Sequence, residues 1–208
     1  MTTLGVTGGI GSGKTAACEV FEALGAEVFY ADDEAKRLMV EHEGLRADIA
    51  EAFGAESYGP DGELNRAYLA EQVFADPQQV ERIDALVHPR VFEAFAQRKA
   101  EAEAAGAELL VHEAALIFEA GRAEHLDAVA VVDAPESERI HRVIERDGAS
   151  EAEVRARMAH QLDATDKRRR ADYVIANDGA EDELRAEVER VYRAVLDRLR
   201  PARSSTAR

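Results

Sequence analysis

The sequence has few of the features that mark secreted or membrane proteins. Its single cysteine, Cys18, cannot form a disulfide within the chain, and it falls in a helical pattern where a small core residue is expected. No apolar run approaches the roughly 20 residues that cross a bilayer. The first residues form a strand pattern with no basic segment before it. We therefore expect no secretory signal, no membrane partner and a cytoplasmic location.

Positive charge is also scarce. Lysine and arginine together number 26 against 42 acidic residues, giving a formal net charge of −16. This argues against a nucleic-acid partner, because a phosphate backbone requires a basic face. Any site for a polyanion must therefore concentrate its positive charge locally. The acidic, lysine-poor composition is typical of a surface adapted to high salt, but a genomic bias toward Ala, Arg, Glu and Asp explains it equally well.

The sequence does contain a glycine-rich loop, GGIGSGKT over residues 8–15, that fits G-x-x-x-x-G-K-[ST]. Glycines let the backbone approach a polyanion, and successive N–H groups then form an anion nest in front of a helix. Lys14 is placed to reach the β- and γ-phosphates of ATP, and the Thr15 hydroxyl to hold Mg²⁺. A strand pattern over 3–7 and a helical pattern over 16–24 give the required context. The predicted ATP-binding residues here are Gly9, Gly11, Ser12, Gly13, Lys14, Thr15 and Ala16.

Strand and helix patterns alternate along the chain, as in an α/β domain with a parallel sheet. The expected strands cover 3–7, 27–30, 108–112, 126–133 and 171–176. Between the second and third strands, helical patterns lie near 33–42, 45–53, 65–75 and 77–105, with a turn over 57–62 and a helix cap at Asn65. Pro89 should kink or restart the last of these helices. Further helices are expected over 135–146, 151–162 and 181–199.

Acidic residues follow two of the strands. Asp32 comes after the second strand, at the edge where open α/β sheets bind ligands, although a cap on the next helix explains it as well. Asp33 suits such a cap or the first helical turn. Glu113 leaves the third strand, where P-loop NTPases carry an acid that positions Mg²⁺ or its water shell.

Three arginines, at 139, 142 and 146, share one face of the helix that begins near Pro135. Residues 137–170 carry nine Lys/Arg against seven Asp/Glu, so this segment opposes the acidic whole. Charged stripes are often only solvated faces. In an acidic protein that binds a triphosphate, however, this arginine face is expected to bind the phosphates.

Several segments follow one another in an order that indicates a family. They are GVTGGIGSGKT at 5–15, Tyr30-Ala31-Asp32, ALVHPR at 85–90, EAALIFE at 113–119, Arg142 with Arg146-Asp147, Gln161, ADYVI at 171–175, and Asn177 with Gly179. Over nearly the whole chain they resemble the dephospho-CoA kinase family. Three positions depart from its pattern: Tyr30 replaces an Asp, Glu113-Ala114-Ala115 replaces Asp-x-Pro, and Arg139 replaces a frequent Gln.

The resemblance implies a P-loop NTPase fold of the nucleoside-monophosphate-kinase type: a five-stranded parallel sheet flanked by helices, with a helical insertion and a helical lid. It implies four parts. They are a nucleotide-binding core of residues 1–32, 106–136 and 171–200, an acceptor domain of 33–105, a lid of 137–170, and a disordered tail of 201–208.

The resemblance also implies an activity: ATP-dependent phosphorylation of the ribose 3′-hydroxyl of dephospho-CoA, with Mg²⁺. Asp32, Lys14 and Arg142 would be catalytic, and Arg146 and Asn177 would bind ATP. The acceptor would be bound by Asp32, His88, Arg90 and Glu113. We expect a monomer or a weak homo-oligomer.

Two other classes of function are weighed. Another small-molecule kinase, acting on a nucleoside, a nucleotide or a sugar acid, is the alternative; the insertion and His88-Pro89 argue against it. A nucleotide-gated switch is disfavoured because the D-x-x-G and N-K-x-D motifs of GTPases and the L-S-G-G-Q motif of transport ATPases are absent from the sequence.

Overall fold

The strand patterns form one parallel sheet. The protein is described by a computed structural model for residues 1–74 and 76–199, and its sheet has the order β2-β3-β1-β4-β5. The strands are β1 (Thr2–Thr7), β2 (Glu27–Tyr30), β3 (Leu109–Glu113), β4 (Ala128–Asp133) and β5 (Tyr173–Ala176). The central strand β1 is buried throughout and pairs in parallel with β3 and β4. A strand buried on both faces needs a nearly continuous apolar sequence, which is why these segments were predictable.

Helices connect the strands with boundaries close to those predicted. They are α1 (Lys14–Ala23), α2 (Ala31–Glu41), α3 (Glu43–Phe53), α4 (Arg66–Phe74), α5 (Pro77–Ala104), α6 (Glu136–Asp147), α7 (Glu151–Met158), α8 (Ala164–Arg170) and α9 (Glu181–Leu199). Two predicted caps are confirmed. The Ser150 and Glu153 side chains form a capping box on α7, and the Asn65 side chain accepts a hydrogen bond from the Tyr68 N–H.

Two expectations need correction, and one helix was not predicted. Pro89 lies inside the continuous helix α5, so that helix does not restart there. Helix α7 ends at Met158 rather than near residue 162, and the next segment forms a separate helix, α8, that the sequence analysis did not predict. Helix α8 begins because the Asp163 side chain accepts a hydrogen bond from the Thr165 N–H, which caps it.

The chain divides into two compact units. The first contains residues 1–29 together with the chain from residue 102 onward, and the second contains Tyr30–Glu101. The predicted lid, residues 137–170, falls within the first unit, and the predicted tail, 201–208, lies outside the described residues. In the described part of the chain, none of the helices has the length and apolarity required of a membrane span.

Each unit has its own apolar core. In the first unit, α1 and α9 pack on the sheet, and Phe21 of α1 lies 6.5 Å from the ring of Tyr192. Cys18 is fully buried in α1, which confirms its prediction as a core residue. The second unit is built around a cluster of Leu38, Leu45, Ile49, Phe53, Leu69, Val73, Ile83 and Val87.

Candidate functional site

The glycine-rich loop joins β1 to the N-terminus of α1, as the motif requires. Gly11 and Gly13 have φ values of 76° and 89°, in the left-handed region that favours glycine. Close packing is a second reason for glycine. A Cβ at Gly13 would collide with the Asn177 amide, one at Gly11 with the backbone carbonyl of Arg139, and one at Gly9 with the Arg139 guanidinium. The loop is therefore enclosed by backbone and side-chain groups from later in the sequence.

Lys14 is the first residue of α1, and its side chain is largely buried. The Lys14 ammonium lies 3.3 Å from the Gly8 carbonyl oxygen and 4.0 Å from a carboxylate oxygen of Glu113. Glu113 is the last residue of β3 and is itself buried, with its Cα opposite Val6 of β1. The structure thus places the acid at the end of β3 beside the P-loop lysine.

Thr15 is exposed in the first turn of α1. A hydroxyl of this kind, with the carboxylate of Glu113 on the neighbouring strand, belongs to the oxygen ligands that Mg²⁺ prefers. No cluster of three or more His, Cys, Asp or Glu side chains that could hold a metal lies within residues 1–74 and 76–199. The chemistry of these groups fits an Mg²⁺ ion that arrives with a nucleotide and keeps phosphate and water ligands.

Helix α6 packs against the P-loop through a small apolar cluster. Ile140, Val143 and Val154 are buried there, and Ile10 of the P-loop packs against them. This contact sets the distance between the arginine face of α6 and the loop. The apolar residues therefore position the charged ones.

The three arginines of α6 differ in their surroundings. Nε of Arg139 and one terminal nitrogen of Arg142, Nη1, are buried and have no hydrogen-bond partner among the described residues. The other terminal nitrogen of Arg142 donates to the Asn177 carbonyl at 3.0 Å. Arg146 is exposed and bonds to Asp147 instead, and that hydrogen bond raises the pKa of Arg146. The structure thus brings Arg139 and Arg142 to the P-loop but not Arg146.

The buried arginine donors are typical of a site that binds an anion. Leaving a buried donor without a partner costs on the order of 1–3 kcal/mol, and more when the group is charged. The fully buried hydroxyl of Ser12 in the loop likewise has no hydrogen-bond partner among the described residues. Groups of this kind beside an anion nest are satisfied when phosphate oxygens bind between them.

Asn177 follows β5 and is buried at 9% exposure. Its side-chain amide donates to the Ser12 carbonyl at 2.7 Å, and its own carbonyl accepts from Arg142. This residue therefore links the P-loop to helix α6. Its predicted place beside adenine stays a prediction.

Sequence reasoning missed part of the site. Gln161 accepts a hydrogen bond from the Ile10 N–H at 2.9 Å, so it holds the P-loop backbone. With Gly9, Arg139 and the fully buried Lys167, it lines a cavity of about 330 Å³ in the first unit. Gln161 stood only among the motif residues, and nothing local distinguished Lys167 from the basic residues that follow it.

The predicted acceptor residues of the second unit contact different neighbours. His88 lies 3.7 Å from Asp84, one turn away on α5, whereas Arg90 pairs with Glu93 at 3.3 Å and with Asp48 at 3.9 Å. Asp32 lies exposed in the first turn of α2.

Three acidic residues share that first turn of α2. The Asp33 carboxylate pairs with Lys36 at 2.7 Å, and Glu34 pairs with Arg37 at 2.6 Å. Asp32 has neither a hydrogen bond nor an ion pair through its side chain within the described part of the chain. The hydrogen bond from Arg37 lowers the pKa of Glu34 below its usual value. Asp32 is thus the one carboxylate of the turn that remains available as an acceptor.

Comparison with known proteins agrees with this geometry. A family model described as dephospho-CoA kinase matches residues 2–183. The chain is 57% identical over 195 residues to the dephospho-CoA kinase of Salinibacter ruber, covering 94% of this chain and 98% of that protein. The corresponding protein of Syntrophotalea carbinolica is 43% identical, with 90% and 89% covered.

Solved structures support the same fold. Protein TT1252 from Thermus thermophilus has a TM-score of 0.81 and 34% identity, with 96% of this chain and 98% of that chain covered. A dephospho-CoA kinase from Campylobacter jejuni has a TM-score of 0.63 at 22% identity, covering 93% and 97%, which bears on the fold alone. The parallel sheet, the P-loop and the matches over most of the sequence lead to one conclusion: the chain belongs to the dephospho-CoA kinase family.

Proposed function

We propose that this chain transfers the γ-phosphoryl group of ATP to the ribose 3′-hydroxyl of dephospho-CoA, giving CoA and ADP. The observation that carries the proposal is a pair of buried arginine donors, Arg139 Nε and Arg142 Nη1, that have no partner within residues 1–74 and 76–199 and lie beside the P-loop of a dephospho-CoA kinase family member. These donors are suited to a triphosphate that fills the space between α6 and the loop.

The P-loop binds the triphosphate. Backbone N–H groups within residues 9–15 surround the phosphates, and the Lys14 ammonium leaves the Gly8 carbonyl to contact the β- and γ-phosphates. Thr15 would hold Mg²⁺, and Glu113, whose carboxylate lies 4.0 Å from the Lys14 ammonium, would orient water ligands of the ion. The ion, when bound, neutralises charge on the β- and γ-phosphate oxygens.

Helix α6 supplies the charge that the transition state needs. Arg142 reaches the transferring phosphoryl group from a fixed position, because its other terminal nitrogen is already held by the Asn177 carbonyl. Residues 137–170 form the lid of the site, and Arg146 joins Arg142 by releasing Asp147. Arg139 adds a phosphate contact at Gly9. Asn177 and its neighbouring backbone line the adenine.

Asp32 acts as the general base. Its unpaired carboxylate accepts the proton of the 3′-hydroxyl as the hydroxyl oxygen forms a bond to the γ-phosphorus and the bond between that phosphorus and the bridging oxygen of ADP breaks. Asp33 is unsuited because Lys36 already holds it. Residues 33–105 form the acceptor domain, in which His88 and Arg90 bind dephospho-CoA, and Glu113 contacts the acceptor from the core.

Other parts of the proposal concern the setting of the enzyme. We propose a cytoplasmic protein that works as a monomer or a weak homo-oligomer and has no nucleic-acid partner. Its net charge of −16 supports the last point, because it would repel a polyanionic chain. Analytical ultracentrifugation of the purified chain tests the oligomeric state.

A coupled assay for ADP release tests the activity. Dephospho-CoA should support turnover, whereas adenosine, AMP and shikimate, offered at the same concentration, should not. The variant Lys14→Ala should lose most of the activity and keep its melting temperature. Lys36→Ala, at an exposed lysine paired with Asp33, is the matched control and should keep the activity. Preferential turnover of another acceptor would replace this proposal with the alternative kinase class.

A further inference from the structure

Lys167 of α8 is a buried cation whose surroundings no part of the proposed mechanism uses. Its side chain is only 1% exposed. The ammonium lies 2.8 Å from the Glu119 carboxylate and donates to the Ala115 carbonyl at 3.0 Å. Removing an ammonium from water is unfavourable unless such partners compensate it. The segment after β3 is therefore fixed to α8 at this point.

The same Glu119 oxygen has a second bond. Glu119 Oε1 accepts from the backbone N–H of Leu162 at 2.9 Å, in the connection between α7 and α8. Burial, the strongest single influence, raises the pKa of this carboxyl group, but the hydrogen bonds from Lys167 and from the Leu162 N–H outweigh it and lower the pKa below its usual value. The carboxylate is therefore held in its charged form between two donors.

The residue next to Leu162 is Gln161, whose side chain accepts the Ile10 N–H of the P-loop at 2.9 Å. The chain of contacts thus runs from Lys167 through Glu119 and Leu162 to Gln161 and the loop. The Ala115 carbonyl that Lys167 contacts also accepts from the hydroxyl of Thr7, the last residue before the loop. One end of this chain of contacts therefore meets the P-loop, and the other meets the residue just before it.

We propose that the Lys167–Glu119 ion pair is a positioning pair, which holds Gln161 against Ile10 and so fixes the P-loop in its phosphate-binding shape. Neither side chain needs to contact the nucleotide. This inference deepens the proposed function. It is tested by nucleotide binding without acceptor, so that it can fail or succeed whatever the acceptor is.

Two double variants separate the effect of the two charges from the effect of the hydrogen bond that the Leu162 N–H donates to residue 119. Lys167→Met with Glu119→Gln removes both charges but keeps an oxygen that accepts from the Leu162 N–H. Lys167→Met with Glu119→Leu removes both charges and that acceptor. The dissociation constant for ADP, measured by titration calorimetry, should be at least about five-fold higher in the Leu variant than in the Gln variant, which is the worth of about one hydrogen bond. An equal ADP affinity in the two variants overturns the proposal.

Coupling to Gln161 provides the second readout. Gln161→Leu alone should weaken ADP binding, and it should add little in the variant that has lost the acceptor, because both changes act on one chain of contacts. Full additivity overturns the proposal. The matched control is Asp166→Asn with Arg169→Met, which removes an exposed ion pair of the same helix and should not alter ADP affinity.

A milder variant keeps the test decisive if the charge-free doubles fail to fold. Glu119→Asp retains the negative charge but shortens the side chain, which withdraws the oxygen from the Lys167 ammonium and from the Leu162 N–H alike. ADP affinity should fall by more than the change in melting temperature explains. An unchanged ADP affinity, or a loss that only follows the melting temperature, contradicts the positioning role.

Discussion

The side-chain amide of Asn177 donates to the Ser12 carbonyl at 2.7 Å, joining two residues that are 165 positions apart. This bond connects the end of the last strand to the P-loop formed by the first. The carbonyl of Asn177 meanwhile accepts from Arg142. One residue thus links the P-loop to Arg142 of helix α6.

Asn177→Ala should therefore weaken both stability and nucleotide binding. The buried Ser12 carbonyl loses its donor, which costs about 1–3 kcal/mol of unfolding free energy. Denaturant unfolding and ATP titration measure the two effects. Asn65→Ala is the matched control, since it removes a cap on α4 in the second unit and should lower stability by about 1 kcal/mol without changing ATP affinity. Normal ATP binding by Asn177→Ala would contradict the linking role.

Asp32→Asn should lower kcat by about 100-fold or more while ATP still binds, because the variant keeps the size of the side chain and loses the proton acceptor. Asp33→Asn is the neighbouring control and should cost little, since Asp33 is already paired with Lys36. Steady-state kinetics and ATP titration of both variants give the answer. If Asp33→Asn is the crippling change, the base has been assigned one residue too early.

Arg142→Ala should reduce turnover more than ATP affinity. In the proposed mechanism its guanidinium acts on charge that develops during transfer, so its loss should appear in kcat rather than in ground-state binding. The ratio of kcat and the dissociation constant for ATP, measured against the wild type, separates the two effects. A large loss of ATP affinity with unchanged kcat would show that Arg142 only holds the bound nucleotide.

His112 of β3 should make the protein sensitive to mild acid. Burial, with a smaller effect from the charge of Arg122, lowers the pKa of His112 from 6.5 to about 4. The unfolded chain takes up the proton near pH 6.5 and the folded chain does not, so stability is fully present above pH 6.5 and is lost as pH falls toward 4. The full shift of the His112 pKa corresponds to about 3 kcal/mol of unfolding free energy.

The variant His112→Phe tests this dependence, since a phenyl ring can keep the stacking on Phe29, 5.5 Å away, without titrating. The fall in unfolding free energy between pH 7.5 and pH 5 should be smaller in this variant than in the wild type. His160→Gln, at an exposed histidine, should leave the wild-type pH dependence in place. Identical pH profiles for His112→Phe and the wild type would refute the contribution of His112.

Added salt should raise both activity and melting temperature. At a net charge of −16 the surface repels ATP and dephospho-CoA over a Debye length of about 10 Å at 0.1 M salt. Screening relieves this repulsion before it weakens the contacts of Lys14 and Arg142, which act at short range in a partly buried site. A series of KCl concentrations, with kcat/KM and Tm measured at each, tests the idea. A steady fall in both would favour compositional bias as the origin of the acidic surface.

Local sequence patterns were sufficient where local interactions decide the structure. The P-loop, the strand patterns and the cap at Ser150 depend on residues within a few positions of one another, and the structure confirms them. The role of Lys167 could not be predicted, because its carbonyl partner, Ala115, is 52 residues away and the sequence does not tell which of four consecutive basic residues turns inward. Strand β4 begins at Ala128 rather than at the predicted residue 126. The Asp127 side chain, just before the strand, accepts hydrogen bonds from the backbone N–H and the hydroxyl of Thr3, which is far away in the sequence.

Because Cys18 is buried, the reaction rate of its thiol can report how often helix α1 opens locally. The thiol is inaccessible in α1, the helix that carries Lys14 and Thr15, and burial, followed by the nearby Glu113 carboxylate, raises its pKa well above the usual range. Alkylating reagents attack the exposed thiolate, so they can react only when α1 separates from the sheet. With no other cysteine in the sequence, the labelling rate of the whole protein reports that single event. Nucleotide bound at the N-terminus of α1 should slow the labelling. The labelling rate of Cys18 therefore measures how strongly α1 is held against the sheet.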